Sequence, residues 1–198
     1  MCWNKEVSLN TFIFSSFVLF NNIWVILFFI SFILMQLIEF MIWKNIDNKI
    51  ENEFYSKIAL LLLFLQPVAS LMTLKDNVIR FNMILVYLSL ASLSIFKFIN
   101  KDVKSVVSEY GHLKWNFLTK NNDFYIFMCW LVFFLFSFFY NRTYPGLIFG
   151  LIMLLLVYYN YSNDGTVGSM WCWVVNSVMI YSAAKLLIYL PFREVIQK

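Results

Sequence analysis

Histidine is almost missing from this 198-residue chain: His112 is the single one. That count excludes the enzymes that gather several histidines around a metal. Cysteine is scarce as well, and Cys2, Cys129 and Cys172 have no CxxC spacing, so neither a zinc motif nor a disulfide framework is expected. Only 5 glycines and 3 prolines interrupt the chain, and charged residues make up 13% of it, too little punctuation and too little ionic surface for a soluble domain. The net charge of +4 includes no dense basic cluster, so nucleic acid is not an expected partner.

Apolar residues fill the space instead. They form 62% of the chain, 23 of them phenylalanine, and the mean hydropathy is +0.74. This is the composition of a polytopic membrane protein, in which backbone polar groups must be satisfied within helices or a closed barrel. The runs do not alternate as barrel strands do. The expected fold is all-α, a single domain forming a seven-helix transmembrane bundle, with helices over 5–20, 23–43, 57–74, 78–99, 124–140, 146–159 and 167–190. Apolar residues from Val7 to Trp43 are too many for one crossing, and Asn21-Asn22 is the break. Gln66-Pro67 predicts a kink in the third helix, and Gly146 and Gly150 have the spacing of a close helix contact. Between the fourth and fifth helices, Val103, Val106, Val107 and Tyr110 recur at helical spacing opposite Lys101, Lys104 and Ser105. That pattern predicts an amphipathic surface helix, ended by Gly111, lying on anionic lipid.

The cations set an expected orientation. With seven crossings, Lys5, Lys44, Lys49, Lys57, Lys97, Lys101, Lys104, Lys114 and Lys120 share the N-terminal face, against Lys75, Arg80, Arg142, Lys185, Arg193 and Lys198 on the other. The positive-inside rule then puts the N-terminus in the cytosol and the C-terminus in the lumen. MCWNKEVS has no small-residue cleavage site, so the first helix is expected to act as its own targeting signal. Short helices suit a thin bilayer, the endoplasmic reticulum or a viral membrane derived from it. Asn141-Arg142-Thr143 is a sequon in a turn too short to favour modification.

The same crossings gather the unusual residues. Glu39, an acid about 6 Å inside the end of the second helix, falls on the face that also collects Cys2, Trp3, Asn4, Gln36, Trp43, His112, Trp115, Cys129, Trp130, Trp171, Cys172 and Trp173. Acids in hydrocarbon mark a site or a structural pairing. The plain alternatives are that Glu39 reaches the headgroups or accepts a hydrogen bond from Gln36 or a tryptophan, and that the tryptophans form an interfacial belt. Lys185 falls toward the opposite face, so it is not the partner of Glu39 and no retinal site is expected. No metal and no cofactor are expected.

Three functions stay open on this reading. Asn4, Gln36, Glu39, His112, Trp115, Trp171, Cys172 and Trp173 line a shallow cytosolic-face site that binds or transports an ion or small polar ligand. Alternatively, His112 and Glu39 act as acid and base in a lipid-modifying enzyme, with Cys2 or Cys172 as nucleophile. Or the protein is structural, recruiting partners without a site.

MCWNKEVS, QLIEF with Trp43, LQP, GHLKW and SMWCW, in that order, resemble the motif series of an uncharacterised multi-pass membrane family of large DNA viruses, protists and bacteria. The resemblance spans nearly the whole chain and implies no activity. It singles out Cys2, Trp3, Asn4, Gln36, Glu39, Gln66, Pro67, His112, Trp115, Trp171, Cys172 and Trp173.

Overall fold

Asn4 opens the first helix by accepting the Val7 N–H at 2.8 Å, a typical N-cap. The computed structural model describes residues 4–20, 23–99, 102–116 and 124–184. Its helices are α1 (Lys5–Ser15), continued by a 3-10 segment (Ser16–Phe20), α2 (Ile23–Lys44), α3 (Lys49–Leu71), α4 (Asn77–Ile99), α5 (Phe124–Tyr140), α6 (Tyr144–Tyr161) and α7 (Val167–Ala184). Among the described residues four helical segments are long and apolar enough to cross a bilayer, Ile26–Lys44, Lys49–Leu71, Asn77–Ser94 and Tyr144–Tyr161, and Tyr125–Tyr140 is a shorter apolar helix. The chain is a predominantly helical, multi-pass integral membrane protein.

Two features depart from the sequence expectation. The first is the start of α3, two turns before residue 57. Asn48 accepts from the N–H groups of Ile50 and Glu51 at 3.2 and 3.3 Å, and Lys57 pairs with Glu53 one turn away at 2.6 Å. A capped helix with an i,i+4 ion pair tolerates the polar composition that reads as a loop. The second is the segment between α4 and α5. The expected amphipathic helix is a β-hairpin, β1 (Ser105–Val107) antiparallel to β2 (Leu113–Trp115), with Ser105 opposite Trp115 and Val107 opposite Leu113. The Gly111 N–H donates to the Ser108 carbonyl at 3.0 Å, and Gly111 sits at φ +78°. A left-handed residue after a β-turn is the usual way to close a short hairpin. Val103, Ser105, Leu113 and Trp115 are buried while Tyr110 stands exposed at the tip, so the operative period was two.

α2 is the central helix, packed against α1, α3 and α7, while α5 packs on α3. Ser8, Ser15 and Ser31 are buried, and residues this small let α1 and α2 approach closely. The Ser70 hydroxyl donates to the Phe134 carbonyl at 2.6 Å and lies 2.5 Å from that of Ser137, joining α3 to α5. Much of α4 and α6 is exposed, including Phe81, Leu93, Leu155 and Tyr159, as suits lipid-facing helices. Tryptophans expected as an interfacial belt are core residues here: Trp115, Trp130 and Trp171 are all buried.

The bundle has two distinct ends. At one, the hairpin is clamped between the start of α3 and the α6–α7 turn. At the other, the Asn141 side-chain amide donates to the Thr73 carbonyl at 3.2 Å, tying the α5–α6 turn to the end of α3.

Candidate functional site

The hairpin end is held by side chains that read backbone. The Asn52 amide donates to the Ser105 carbonyl at 2.9 Å and its oxygen accepts the Ser105 N–H at 3.0 Å, while the hydroxyls of Ser56 and Ser105 meet at 2.8 Å. On the opposite side Ser169, in the first turn of α7, donates to the Leu113 carbonyl at 2.7 Å, and Ser108 donates to the Asp164 carboxylate at 2.8 Å. Thr166 donates to the same carboxylate at 3.1 Å. Gly165, at φ +75°, lies so close under Lys114 that an added Cβ would stand 2.9 Å from Lys114 Cε. Lys104 pairs with Asp102, whose carboxyl its hydrogen bond holds below the ordinary carboxylate range. Both lysines thus make contacts within the protein.

Beneath this cover lies a buried polar seam where α2, α3 and α7 meet. Gln36 and Glu39, one turn apart on α2, are wholly buried, as are Gln66 on α3 and Cys172 on α7, with Asn176 nearly so. Several contacts bring them together. Gln66 Nε2 donates to Cys172 Sγ at 3.6 Å. The Glu39 carboxylate is within electrostatic reach of the same thiol. Asn176 Nδ2 donates to the Cys172 carbonyl at 2.7 Å and to the Phe32 carbonyl at 3.4 Å. In a helix the Phe32 carbonyl is the partner of the Gln36 N–H, which sets the Asn176 amide at the level of Gln36.

The seam's hydrogen-bonding capacity is only partly used. Gln36 Nε2 and Oε1, Gln66 Oε1, Asn176 Oδ1, and the indole nitrogens of Trp43 and Trp171 are buried with no partner among the described residues. Neither Gln36 nor Trp43 nor Trp171 therefore donates a side-chain hydrogen bond to Glu39, whose side chain is fully buried. Each buried polar atom left unpaired costs about 1–3 kcal/mol, so a cluster of them needs a reason.

Pro67 beside Gln66 shows the contrast. Proline has no N–H for the carbonyl four residues back, here that of Leu63. Trp130 Nε1 donates to that carbonyl at 2.9 Å, and the Tyr87 hydroxyl donates to the neighbouring Phe64 carbonyl at 2.7 Å. The polar defect made by proline is repaired from α5 and α4.

The expected site residues divide accordingly. Gln36, Glu39 and Cys172 come together, and Trp43, Trp115 and Trp171 pack in the same core cluster. Gln66, expected deeper in the membrane, joins them. Trp173 is half-buried. Asn4 is exposed and spends its side chain on capping α1. His112 sits at the hairpin turn, its N–H donating to Ser108 Oγ at 3.2 Å and its ring edge-on to Tyr161. Cys2, Trp3 and Lys185 lie outside the described residues. Sequence reasoning missed Asn52, Ser105 and Asn176. Of these only Asn176 had a readable signal, an amide one turn after Cys172 within an apolar run. No protein-family model, curated protein or solved structure matches the chain.

Proposed function

We propose that this membrane protein binds a small polar solute or an ion in the seam between α2, α3 and α7. The observation that carries the reading is Gln36, a wholly buried glutamine with both amide atoms unpartnered among the described residues, one turn from a buried acid. Tertiary packing in the bilayer selects against such a side chain unless another group completes its hydrogen bonds. Glu39 supplies charge, while Gln36, Gln66 and Asn176 supply directional donors and acceptors. The hairpin and the first turn of α7 close the seam toward the nearer face, so the solute reaches it when these elements part. Transport would follow if the seam also opens toward the Thr73 end.

Crystals grown in a lipid mesophase test this directly. The expected result is non-protein density, beyond an isolated water, within hydrogen-bond distance of Gln36 and Gln66. Continuous side-chain packing with no such density would leave the protein a structural or partner-recruiting one.

Seven crossings, a cytosolic hairpin end, and residence in the endoplasmic reticulum or a viral membrane derived from it form part of the same proposal, supported by the lysine distribution and helix lengths. Membership in the viral, protist and bacterial family is proposed on motif order alone.

A further inference from the structure

We infer that the cavity between the α2–α3 turn and the hairpin seats the headgroup of a phospholipid carrying both a phosphate and a primary ammonium group, a phosphatidylethanolamine. This site is separate from the seam and stands or falls without it. The cavity has a volume of about 170 Å³, far above the roughly 10–15 Å³ that one water needs. Its floor is already satisfied, since Asn52 and Ser105 are buried and the Asn52 amide holds both backbone groups of Ser105. Its walls are charged, with Lys49 and Lys104 set among the carboxylates of Asp47, Glu53 and Asp102.

Three observations select the ligand. First, the spanning segments Ile26–Lys44 and Lys49–Leu71 end and begin at this turn, so the cavity stands in the headgroup layer. Ile50 and Phe54, next to Lys49 and Glu53 on α3, are exposed, and Leu61 and Leu65 continue the exposed apolar face along the helix, a track for an acyl chain. Second, the charges balance. Glu53 pairs with Lys57 and Asp102 with Lys104, and the Asp102 carboxyl is lowered by the Lys104 hydrogen bond and then by the fields of Lys104, Lys49 and Lys57. Asp47 and Lys49 are exposed and make no ion pair among the described residues. An unpaired acid beside an unpaired base suits a zwitterion, whereas a lone anion would also meet the carboxylates and a lone cation the lysines. Third, carboxylates accept N–H hydrogen bonds, which a primary ammonium donates and a trimethylated one does not. The aromatic faces that hold a quaternary ammonium are not among the described residues that line the cavity.

The full-length protein in mild detergent is mixed with equimolar phosphatidylethanolamine, phosphatidylcholine and phosphatidylglycerol of matched acyl chains, and the retained lipid is counted by native mass spectrometry. Phosphatidylethanolamine is expected to be retained roughly tenfold over phosphatidylcholine, the value of one charge-assisted hydrogen bond. Asp47→Asn is expected to erase that preference, and Lys49→Gln to weaken retention of both lipids, because both carry the phosphate. The two side chains are exposed, so the variants keep the fold. Equal retention of all three lipids would overturn the proposal, as would a phosphatidylethanolamine preference that survives the double substitution. Preferred retention of phosphatidylglycerol would assign the cavity to an anionic lipid and overturn the zwitterion. Displacement of the lipid by an equal concentration of soluble phosphoethanolamine would show that the acyl track contributes nothing and overturn the lipid as occupant.

Discussion

At the scale of single residues, the bundle treats its polar groups in two ways. The Leu63 carbonyl, orphaned by Pro67, is capped by Trp130. Removing that donor should therefore cost what an unpaired buried carbonyl costs. Trp130→Phe is expected to lower unfolding stability by about 1–3 kcal/mol, measured by denaturation in mild detergent. In the Pro67→Ala background, where the backbone supplies its own N–H, the same substitution should cost distinctly less. Equal penalties in both backgrounds would show that the indole matters only for packing. Gln36 is the opposite case, since its two amide atoms go unanswered by the described residues.

At the scale of elements, the hairpin is the part whose identity was hidden. Valines at 103, 106 and 107 satisfy a helical spacing, yet Asn52 on α3 reads both backbone groups of Ser105, and Gly111 takes the left-handed turn position. Those long-range bonds, invisible in a local pattern, chose the strand. The apolar helices were legible because a run long enough to span a bilayer has few alternatives; the start of α3 was not, because its capped first turns carry charge. Within the site, crossing parity grouped Glu39, Trp171 and Cys172 on one face, but it said nothing of Gln66 on α3 reaching Cys172 on α7. Asn52→Leu should remove four side-chain bonds, to the Ser105 N–H, the Ser105 carbonyl, the Ile46 carbonyl and the Ser56 hydroxyl. The expected outcome is faster hydrogen exchange across 105–115 while α2 and α5 stay protected; unchanged hairpin exchange would contradict the clamp. Acid acts on the same element through Asp102, whose native pKa is lowered by Lys104. Its contribution is present above the unfolded carboxyl value, about 3.9, and is lost as pH falls through the lower native value. Hairpin exchange should accordingly be insensitive to this group between pH 5 and 7, working values chosen as roughly one unit or more above 3.9.

For the whole molecule, one end carries the hairpin, the α2–α3 turn and the α6–α7 turn, and the other carries the α3–α4 and α5–α6 turns. The proposed orientation puts the first of these in the cytosol. Single cysteines replacing Tyr110 and Arg142, in a background with the native cysteines changed to serine or alanine, should label differently in sealed microsomes. A membrane-impermeant maleimide added outside is expected to reach the residue-110 cysteine and to reach the residue-142 cysteine only after permeabilisation. The reverse pattern would invert the protein.

The central claim is that the seam's amides serve a ligand rather than the fold, and its sharpest test is the stability of Gln36→Met in N-methylglucamine chloride. Methionine keeps the length of glutamine and removes both unpartnered atoms. If those atoms are held for a ligand, the variant unfolds at the same free energy as wild type or up to about 1–3 kcal/mol higher. If instead Gln36 holds the bundle together, the substitution destabilises it by a similar amount, and that result would contradict the account.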